Sequence, residues 1–492
     1  MKSKRKNAGF IQLLLIVAFG VCSCEHFEEM NQDPYHASSV PVHTLVNPII
    51  QSFSLSYQSN AIDLTNPLVQ ASTIPASNAD RYSLEYYYPL WHKCFGELRN
   101  INYILEHTDQ KSYLGVAMIL KVLMLSNVSH LYGDMPYFDA GKGREKVYQP
   151  AYDPQETLYA DMIAMLEQAN LYLEEDAASI ESEYLYNGDV YQWRKFANAL
   201  KLRLLMMQSR QVDPGLKLQE MLDDPDKYSL LESNGDQPEY IQTNLGYANA
   251  PDQTKAKKMV KTFIDFLVKT GDERIKAYAD TTLSTSPEIP TYVGVPSGAV
   301  TDIGSSSSIS TVTALLWNSR NKPALAIILF NYTEQALLLA EATEKGYITG
   351  EKTAEEYYEE GIRASYQNQK DLVDRGIGMA IAPLSPMKEW DDVSASYLSH
   401  PDVIFEGTSE EKLEKIGRQM WVALYGNMDV WYHQRRTGYP LLIPGEDTQN
   451  GGKMPVRFTY PDSEKIFNYD SYQAVLEQQG SDDLNTKMWL LK

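Results

Sequence analysis

The chain has 492 residues, and its 44 lysines and arginines against 65 aspartates and glutamates give a formal net charge of −21. With 43% apolar and 22% charged residues it can bury a large core, which excludes a disordered protein. A chain this acidic repels phosphate groups, so a broad nucleic-acid interface is excluded too. The 34 tyrosines suit either a surface for flat amphipathic ligands or an ordinary aromatic core.

The first residues form an export signal. Four cations within residues 2–6 precede an apolar stretch, residues 10–19, which is shorter than the about 20 residues that a membrane-spanning helix needs. The stretch ends in Val-Cys-Ser-Cys at residues 21–24, which resembles a bacterial lipobox. We therefore predict a signal peptide over residues 1–23 and lipidation of Cys24. An ordinary secretory signal with incidental cysteines is the alternative.

Removal of the signal changes the charge and thiol content of the chain. It takes away four cations and no acidic residue, so the net charge falls from −21 to −25. With Cys24 lipidated, Cys94 is the remaining thiol, and an internal disulfide is excluded. Residues 24–40 are polar and are predicted to tether the body, residues 41–492, to its lipid anchor.

Helical patterns dominate the body. In residues 114–128 apolar side chains recur every three or four positions, which is typical of one face of a helix. Asp153 before Pro154 predicts a capped helix start, and Asp189 predicts another. Further helices are predicted near residues 84–107, 256–269, 325–345, 352–368 and 410–425. The sequence therefore predicts an all-α, mainly helical fold.

The helices near 325–345 and 352–368 form a candidate repeat pair. Ala354, Tyr358 and Gly361 show the small–large–small spacing of the second helix of a tetratricopeptide (TPR) unit. Gln335 stands at a usually apolar position of the first helix, and the loop between the helices is longer than in a standard unit. We predict a scaffold of TPR-like helix pairs, with a generic helical bundle as the alternative.

Two inserts interrupt the helical pattern. Residues near 281–320 are rich in Ser, Thr, Gly and Pro, and residues 370–408 contain two prolines in a loop-rich stretch. Loops of this length in a compact protein are uncommon and are usually functional. We predict that the body is a single unit in which these inserts form an irregular lobe.

The sequence contains no recognisable catalytic or metal-binding motif. The zinc motif H-E-x-x-H, the nucleophile motif G-x-S-x-G and the dinucleotide motif G-x-G-x-x-G are all missing. The 8 histidines are scattered rather than paired at ligand spacing. A glycosidase needs two carboxylates at a set separation, and the sequence cannot select a pair among 65 acids. We therefore predict no catalytic residue, no metal and no cofactor.

Aromatic residues are the remaining candidates for a binding site. Aromatic rings can cover the apolar face of a sugar while neighbouring polar groups bind its hydroxyls, a division of labour common in small-molecule sites. Aromatic residues at helical spacing also pack in cores, which is the alternative for each of them. The candidates, from a cluster before or within an early helix and from the ends of the polar insert, are Tyr86, Tyr87, Tyr88, Trp91, Tyr292 and Trp317.

Several stretches together resemble the SusD/RagB-like nutrient-binding lipoproteins of Bacteroidetes. Their order and spacing carry the resemblance across the mature chain, although Glu273 stands where that family commonly has proline. The stretches are Cys24 to Pro34, Leu131 to Tyr137, Tyr186 to Arg203, Gly271 to Arg274, Tyr292 to Pro296, Trp431 with Arg435 to Pro440, and Tyr460 to Tyr469.

The resemblance implies a fold, a location and a partner. It implies TPR-like helix pairs with an irregular lobe, in a lipoprotein that acts as a lid on a SusC-like TonB-dependent outer-membrane transporter. Such a lid captures oligosaccharides or peptides and hands them over without a covalent step. Glu25, Glu28 and Glu29 after Cys24 resemble a surface-export signal, so we expect the anchored protein on the outer face of the outer membrane.

Three other functions are also compatible with the sequence. The same lid could bind peptides or another nutrient. A lipid-anchored glycoside hydrolase and a TPR scaffold that binds only protein belong to different classes. Ligand binding without turnover distinguishes the lid from the hydrolase, and any nutrient binding distinguishes it from the scaffold.

Overall fold

Helices form most of the chain, as the sequence predicts. A computed structural model describes residues 40–176, 178–243, 256–282, 291–300, 308–313, 324–378 and 392–492. The helices are α1 His43–Asn60, α2 Asn66–Leu68, α3 Trp91–Glu106, α4 Lys111–Tyr132, α5 Gln155–Glu175, α6 Val190–Met207, α7 Gly215–Asp223, α8 Lys261–Thr270, α9 Ile275–Tyr278, α10 Tyr332–Glu344, α11 Ala354–Gly378, α12 Ala395–Leu398, α13 Ser409–Ala423, α14 Asp429–Thr437, α15 Asp462–Phe467 and α16 Tyr469–Gln479.

Short antiparallel strand pairs accompany the helices. Strand β1 pairs with β3, with Ser72 opposite Met259, and β2 pairs with β4, with Glu239 opposite Ile328. The strands are β1 Ser72–Thr73, β2 Glu239–Thr243, β3 Lys258–Met259 and β4 Ala324–Ile328.

Four predicted helix boundaries are wrong. The helix predicted near 256–269 begins only at Lys261, because residues 258–259 pair with β1 as strand β3. The helix predicted near 325–345 begins only at Tyr332, because the preceding apolar run has no helical period and ends in β-branched residues, which favour strand β4. The helix predicted near 84–107 begins at Trp91, because Leu90 has a left-handed φ of 61°. Helix α11 continues to Gly378, so the first residues of the loop-rich stretch predicted at 370–408 are helical.

Neighbouring helices pack in an ordered stack. Helices α3, α4, α5 and α6 each contact the next one along the chain, and α10 packs against both α11 and α13. A methyl group added at Gly361 on α11 would lie 2.9 Å from Leu337 on α10, so a small residue is required there. Gln335 is buried and pairs with the backbone of Leu231, which explains an amide at an apolar position. The TPR-like prediction is confirmed in these features.

One of the two predicted helix caps is confirmed, and the other is wrong. The Asp189 side chain accepts hydrogen bonds from the first backbone amides of α6, as predicted. The predicted cap at Asp153 is wrong, because the amide of Gln155 donates instead to Asp134 at 2.8 Å. Asp153 accepts from the amides of the 137–138 turn.

One core helix is unusually apolar. Helix α4 has a mean hydropathy of 1.6 over its most apolar window and could cross a membrane by length and composition, but 83% of that window is buried within the protein. Its burial on nearly all sides explains why it lacks a polar face. Cys94 on α3 is also fully buried, and burial raises the pKa of its thiol.

A buried ion cluster joins four helices at the centre of the body. Arg203 on α6 donates two hydrogen bonds of 2.6 Å to Glu334 on α10, and its Nη2 lies 3.0 Å from Oδ2 of Asp429 on α14. His433 Nε2 lies 2.9 Å from Glu334 Oε1. Tyr57 on α1 places its hydroxyl 2.6 Å from Asp429 Oδ2. These side chains are almost fully buried, so each depends on the others for its polar partners.

The Tyr57 hydroxyl lies between oxygen atoms of Asn427 and Asp429. The Tyr57 hydroxyl has one proton but lies against two acceptors, Asn427 Oδ1 and Asp429 Oδ2. The Asn427 amide cannot be reversed, because its Oδ1 accepts from the Asp429 amide and its Nδ2 donates to the Ile328 carbonyl. The Tyr57 hydroxyl donates to Asp429 Oδ2, which also faces Arg203, so Asp429 links α1 to α6.

Charge balance within the cluster favours a protonated Asp429. Arg203 is the cation of the cluster, and burial lowers the pKa of His433, so one ionised carboxylate is enough for neutrality. Burial raises the pKa of Asp429 above its ordinary range. Burial alone would also raise the pKa of Glu334, but Arg203 and His433 outweigh burial and lower it.

Replacing Asp429 by asparagine tests this proton. The unfolded chain releases the Asp429 proton above the ordinary pKa of 3.8, whereas the folded protein keeps it to higher pH. This difference stabilises the fold most at low pH, and its contribution is lost as pH rises through the higher folded pKa. We expect Asp429→Asn to remove that slope and to reduce the free energy of unfolding by less than about 1 kcal/mol at pH 7.

The matched variant Glu334→Gln leaves Arg203 buried without its counter-charge and should cost about 3–5 kcal/mol. Urea unfolding between pH 4 and 8 measures both variants. Equal losses at pH 7 would mean that Asp429 is ionised.

A second buried cluster is aromatic. Trp91 is 3% exposed, and its ring centroid lies 4.9 Å from Phe95 and Tyr132, 5.8 Å from Tyr460 and 6.3 Å from Tyr152. The rings come from α3, the end of α4 and two loops, and several meet edge to face, the arrangement that aromatic pairs prefer. The cluster therefore holds the loop-rich segments against the helical stack.

Truncating Trp91 should destabilise the fold. We expect Trp91→Ala to reduce the free energy of unfolding by about 3–5 kcal/mol, because it removes a large ring from a packed cluster. Chemical denaturation of purified protein measures the loss. A variant with wild-type stability would place Trp91 outside the core.

Candidate functional site

The candidate site, called the irregular lobe from here on, is built from three chain segments, residues 70–90, 291–300 and 443–449. Of these, only residues 291–300 belong to the inserts from which the sequence predicts a lobe. Asp80 joins the first two, because its Oδ1 accepts from the Gly298 amide at 3.0 Å and its Oδ2 from the Ala76 amide at 3.1 Å. Burial raises the pKa of Asp80 despite these donors. Its carboxylate thus fixes the first segment against the second.

The third segment is held by backbone contacts. Arg81 Nε donates to the Asp447 carbonyl at 3.2 Å, and the Gln449 amide donates to the Arg81 carbonyl at 2.6 Å. A methyl group added at Gly445 would lie 1.8 Å from the Ser297 carbonyl oxygen, so only glycine permits this approach. The lobe is therefore tightly assembled although it has little regular secondary structure.

Backbone strain is concentrated in the first segment. Seven non-glycine residues in the described chain have a left-handed φ, and four of them lie within residues 70–90. Strained conformations persist only where surrounding structure holds them, and they cluster at binding and active sites. The four residues are Gln70, Ala76, Tyr82 and Leu90.

The predicted tyrosines differ in exposure. Tyr86 is 79% exposed, whereas Tyr87, Tyr88 and Tyr292 are half-buried and pack against the core. Burial, with the nearby Asp462, raises the pKa of Tyr88, and burial, with two nearby carboxylates, raises the pKa of Tyr292 to about 12. Both phenols therefore remain protonated at neutral pH, but the Tyr88 hydroxyl is buried beside Asp462 and does not face solvent.

The structure places one predicted ligand-binding residue, Trp91, in the core. Trp91 has no open ring face, and its burial argues against the predicted role as a platform for a ligand. Trp317 and Cys24 lie outside the described residues. Within the described chain no hydrogen bond or ring contact joins Tyr292 to the 86–88 run, although both belong to segments that Asp80 ties together.

A separate groove of about 740 Å³ lies on the TPR-like pair, against residues 233–235. Its acidic side chains have local roles. Glu356 accepts from the Thr353 amide at the start of α11, and Glu359 pairs with Arg363 at 3.2 Å. Carboxylates in the first turn of a helix stabilise the helix by themselves, so the negative charge of the groove does not indicate a ligand.

Carboxyl groups with raised pKa values occur at separate places in the fold. Asp80 holds the lobe, Asp134 caps α5, and Asp429 belongs to the ion cluster. Each has hydrogen-bond partners that the fold requires, so none is free for acid–base chemistry. In the part of the chain that the structure describes, no group of three or more His, Cys, Asp or Glu side chains could hold a metal ion.

Sequence reasoning missed Asp80, Arg81 and Asp447. They lie in polar stretches without regular periodicity, and their contacts span more than 200 residues of sequence. The one available signal was the run of small and polar residues before Tyr82, which indicates a turn but no partner.

Solved structures share the fold. A SusD homologue from Bacteroides fragilis is 25% identical, with a TM-score of 0.76 over 92% of this chain and 100% of that one. A chitin-binding protein is 26% identical, with a TM-score of 0.75 over 92% and 99%. An outer membrane protein from Bacteroides vulgatus, described as involved in nutrient binding, is 24% identical, with a TM-score of 0.77 over 92% and 100%. No curated protein sequence matches the chain significantly.

A family match covers most of the sequence. Residues 34–461 match the SusD-like family described as starch-binding and associating with the outer membrane. This region contains the helical stack, the ion cluster and the irregular lobe. The chain therefore belongs to the SusD-like family of starch-binding, outer-membrane-associated proteins.

Proposed function

We propose that this protein binds nutrient oligosaccharides on the irregular lobe and hands them to a SusC-like TonB-dependent transporter. It acts without a covalent step, anchored through lipidated Cys24 to the outer face of the outer membrane. The observation that supports this location of the binding site is the concentration of backbone strain in residues 70–90, around the exposed ring of Tyr86. Family membership supports a glycan as the ligand class.

The lobe has the chemistry that a sugar requires. Tyr86 presents an apolar ring face to solvent, and the protonated phenol of Tyr292 can bind a hydroxyl group. Trp317, which lies outside the described residues, remains a predicted ligand contact. Because the mature chain carries −25, the surface favours neutral over polyanionic glycans.

Truncating Tyr86 and Tyr292 tests the proposed binding site. We expect Tyr86→Ala and Tyr292→Ala each to weaken oligosaccharide binding by about 1–3 kcal/mol, since each removes a ring from a contact surface. Calorimetry against starch-derived oligosaccharides, chitin-derived oligosaccharides and peptides measures the change and identifies the ligand class.

Tyr184→Ala is the matched control, because Tyr184 is 51% exposed and its backbone bonds to Asn47 on α1, outside the lobe. Unchanged affinity in both lobe variants, with normal folding, would refute the proposed site. Release of shortened sugars by the wild-type protein would favour a hydrolase. Binding of peptides but not of oligosaccharides would identify peptides as the nutrient.

Removing the proposed lipidation site tests the location. Cys24→Ala should move the protein from the membrane fraction to the soluble fraction, because acyl chains contribute about 0.8 kcal/mol per buried CH₂ to membrane binding. Fractionation and immunoblotting measure the distribution, with Cys94→Ala as a control that keeps the anchor. Retention of Cys24→Ala in the outer membrane would contradict the lipid anchor.

A further inference from the structure

Two buried polar atoms on α14 have no hydrogen-bond partner among the described residues. They are His433 Nδ1 and Arg436 Nε, and each of the two residues is only 2% exposed. A buried polar group without a partner destabilises a fold, and native proteins pair nearly all such groups. Each atom therefore needs a partner that the described part of the chain does not supply.

The surrounding bonds fix which atom accepts and which donates. His433 Nε2 lies 2.9 Å from Glu334, whose carboxylate is ionised beside Arg203, so Nε2 carries the ring proton and donates. Burial lowers the pKa of His433, so the ring is neutral and its Nδ1 has a free lone pair. Arg436 uses both terminal nitrogens on Glu341, at 2.6 Å each, which leaves its Nε proton without an acceptor. The two atoms are thus a matched acceptor and donor.

The acceptor and the donor lie on one side of α14. Residues three positions apart in a helix are neighbours on its surface, with Cβ atoms about 5–6 Å apart. No direct hydrogen bond joins the two atoms. One small molecule between them can bond to both.

A cavity of about 10 Å³ is lined by both side chains. It lies between α13 and α14, with Glu341 of α10 and Tyr439 also in its wall. A cavity needs about 10–15 Å³ to hold one water molecule. Trp421, Gln434 and Thr437 line the cavity too, but their side chains donate to backbone carbonyls. The cavity therefore has room for one water molecule beside the two atoms that lack a partner.

The chemistry of the cavity selects its occupant. The guanidinium of Arg436 repels a cation, and the carboxylate of Glu341 with the lone pair of His433 repels an anion. An apolar occupant would leave both polar atoms without a hydrogen bond. The occupant must accept one hydrogen bond, donate another and be no larger than one oxygen atom with its protons, which describes water.

We propose that one structural water molecule bridges Arg436 Nε and His433 Nδ1. The water accepts from the Nε proton and donates one of its own protons to Nδ1. Its second proton points to the carboxylate of Glu341, which gives the three hydrogen bonds that are typical of a buried water. The water joins the Arg203–Glu334–His433 cluster to the Arg436–Glu341 pair. The buried charges of α6, α10 and α14 thus form one network, whatever ligand the irregular lobe binds.

Diffraction from crystals of the Cys24→Ala protein, which keeps the rest of the mature chain, tests the site directly. We expect one ordered solvent peak within about 2.7–3.2 Å of both Arg436 Nε and His433 Nδ1. Neutron diffraction after exchange into heavy water should show a deuteron on His433 Nε2 and none on Nδ1. An empty cavity, a direct bond between the two side chains, or a deuteron on Nδ1 would each overturn the inference.

A cavity-filling substitution gives a second readout in solution. Val430→Ile adds a methyl group at the wall of the cavity, and Val422→Ile is the matched control at a buried position of α13 outside that wall. Displacing the water leaves both polar atoms without a partner, so we expect Val430→Ile to lower the urea midpoint of unfolding further than Val422→Ile does.

A midpoint for Val430→Ile at or above that of Val422→Ile would mean that the cavity is dry, since filling an empty cavity stabilises a core. That result would contradict the proposal. The diffraction experiment does not depend on whether Val430→Ile folds.

Discussion

The pairing of Arg203 with Glu334 is the constraint on which the helical body depends. A guanidinium and a carboxylate that are fully buried must satisfy each other, because water cannot reach either group. Their helices, α6 and α10, are far apart in sequence, and Asp429 brings in α14. The relative positions of these helices are therefore set by hydrogen-bond geometry as well as by apolar packing.

This rigid body explains how the irregular lobe can hold strained backbone. The lobe segments come from three distant parts of the chain, and Asp80 fixes two of them by accepting from backbone amides. Trp91 fastens the end of the first segment to the helical stack. Each strained residue thus lies between two well-anchored points, which keeps the surface around Tyr86 in place before any ligand arrives.

The helical architecture could be predicted from the sequence because it depends on local patterns. The periodicity of residues 114–128 and the cap at Asp189 predicted helices that the structure contains. Strand β4 could not be predicted, since its partner lies 85 residues earlier. The candidate site was predicted only in part. The burial of Trp91, five residues after the exposed Tyr86, depends on contacts with Tyr132 at the end of α4 and with Tyr460, which no local pattern reveals.

The burial of Cys94 has a practical consequence. Its thiol is inaccessible and its pKa is raised, so it reacts neither with labels nor with oxidants at neutral pH. With Cys22 in the predicted signal peptide and Cys24 acylated as proposed, the mature protein has no reactive thiol of its own. A single cysteine introduced anywhere on its surface would therefore carry a fluorophore or spin label at a unique position. Distances to a bound partner could then be measured without first removing a native residue.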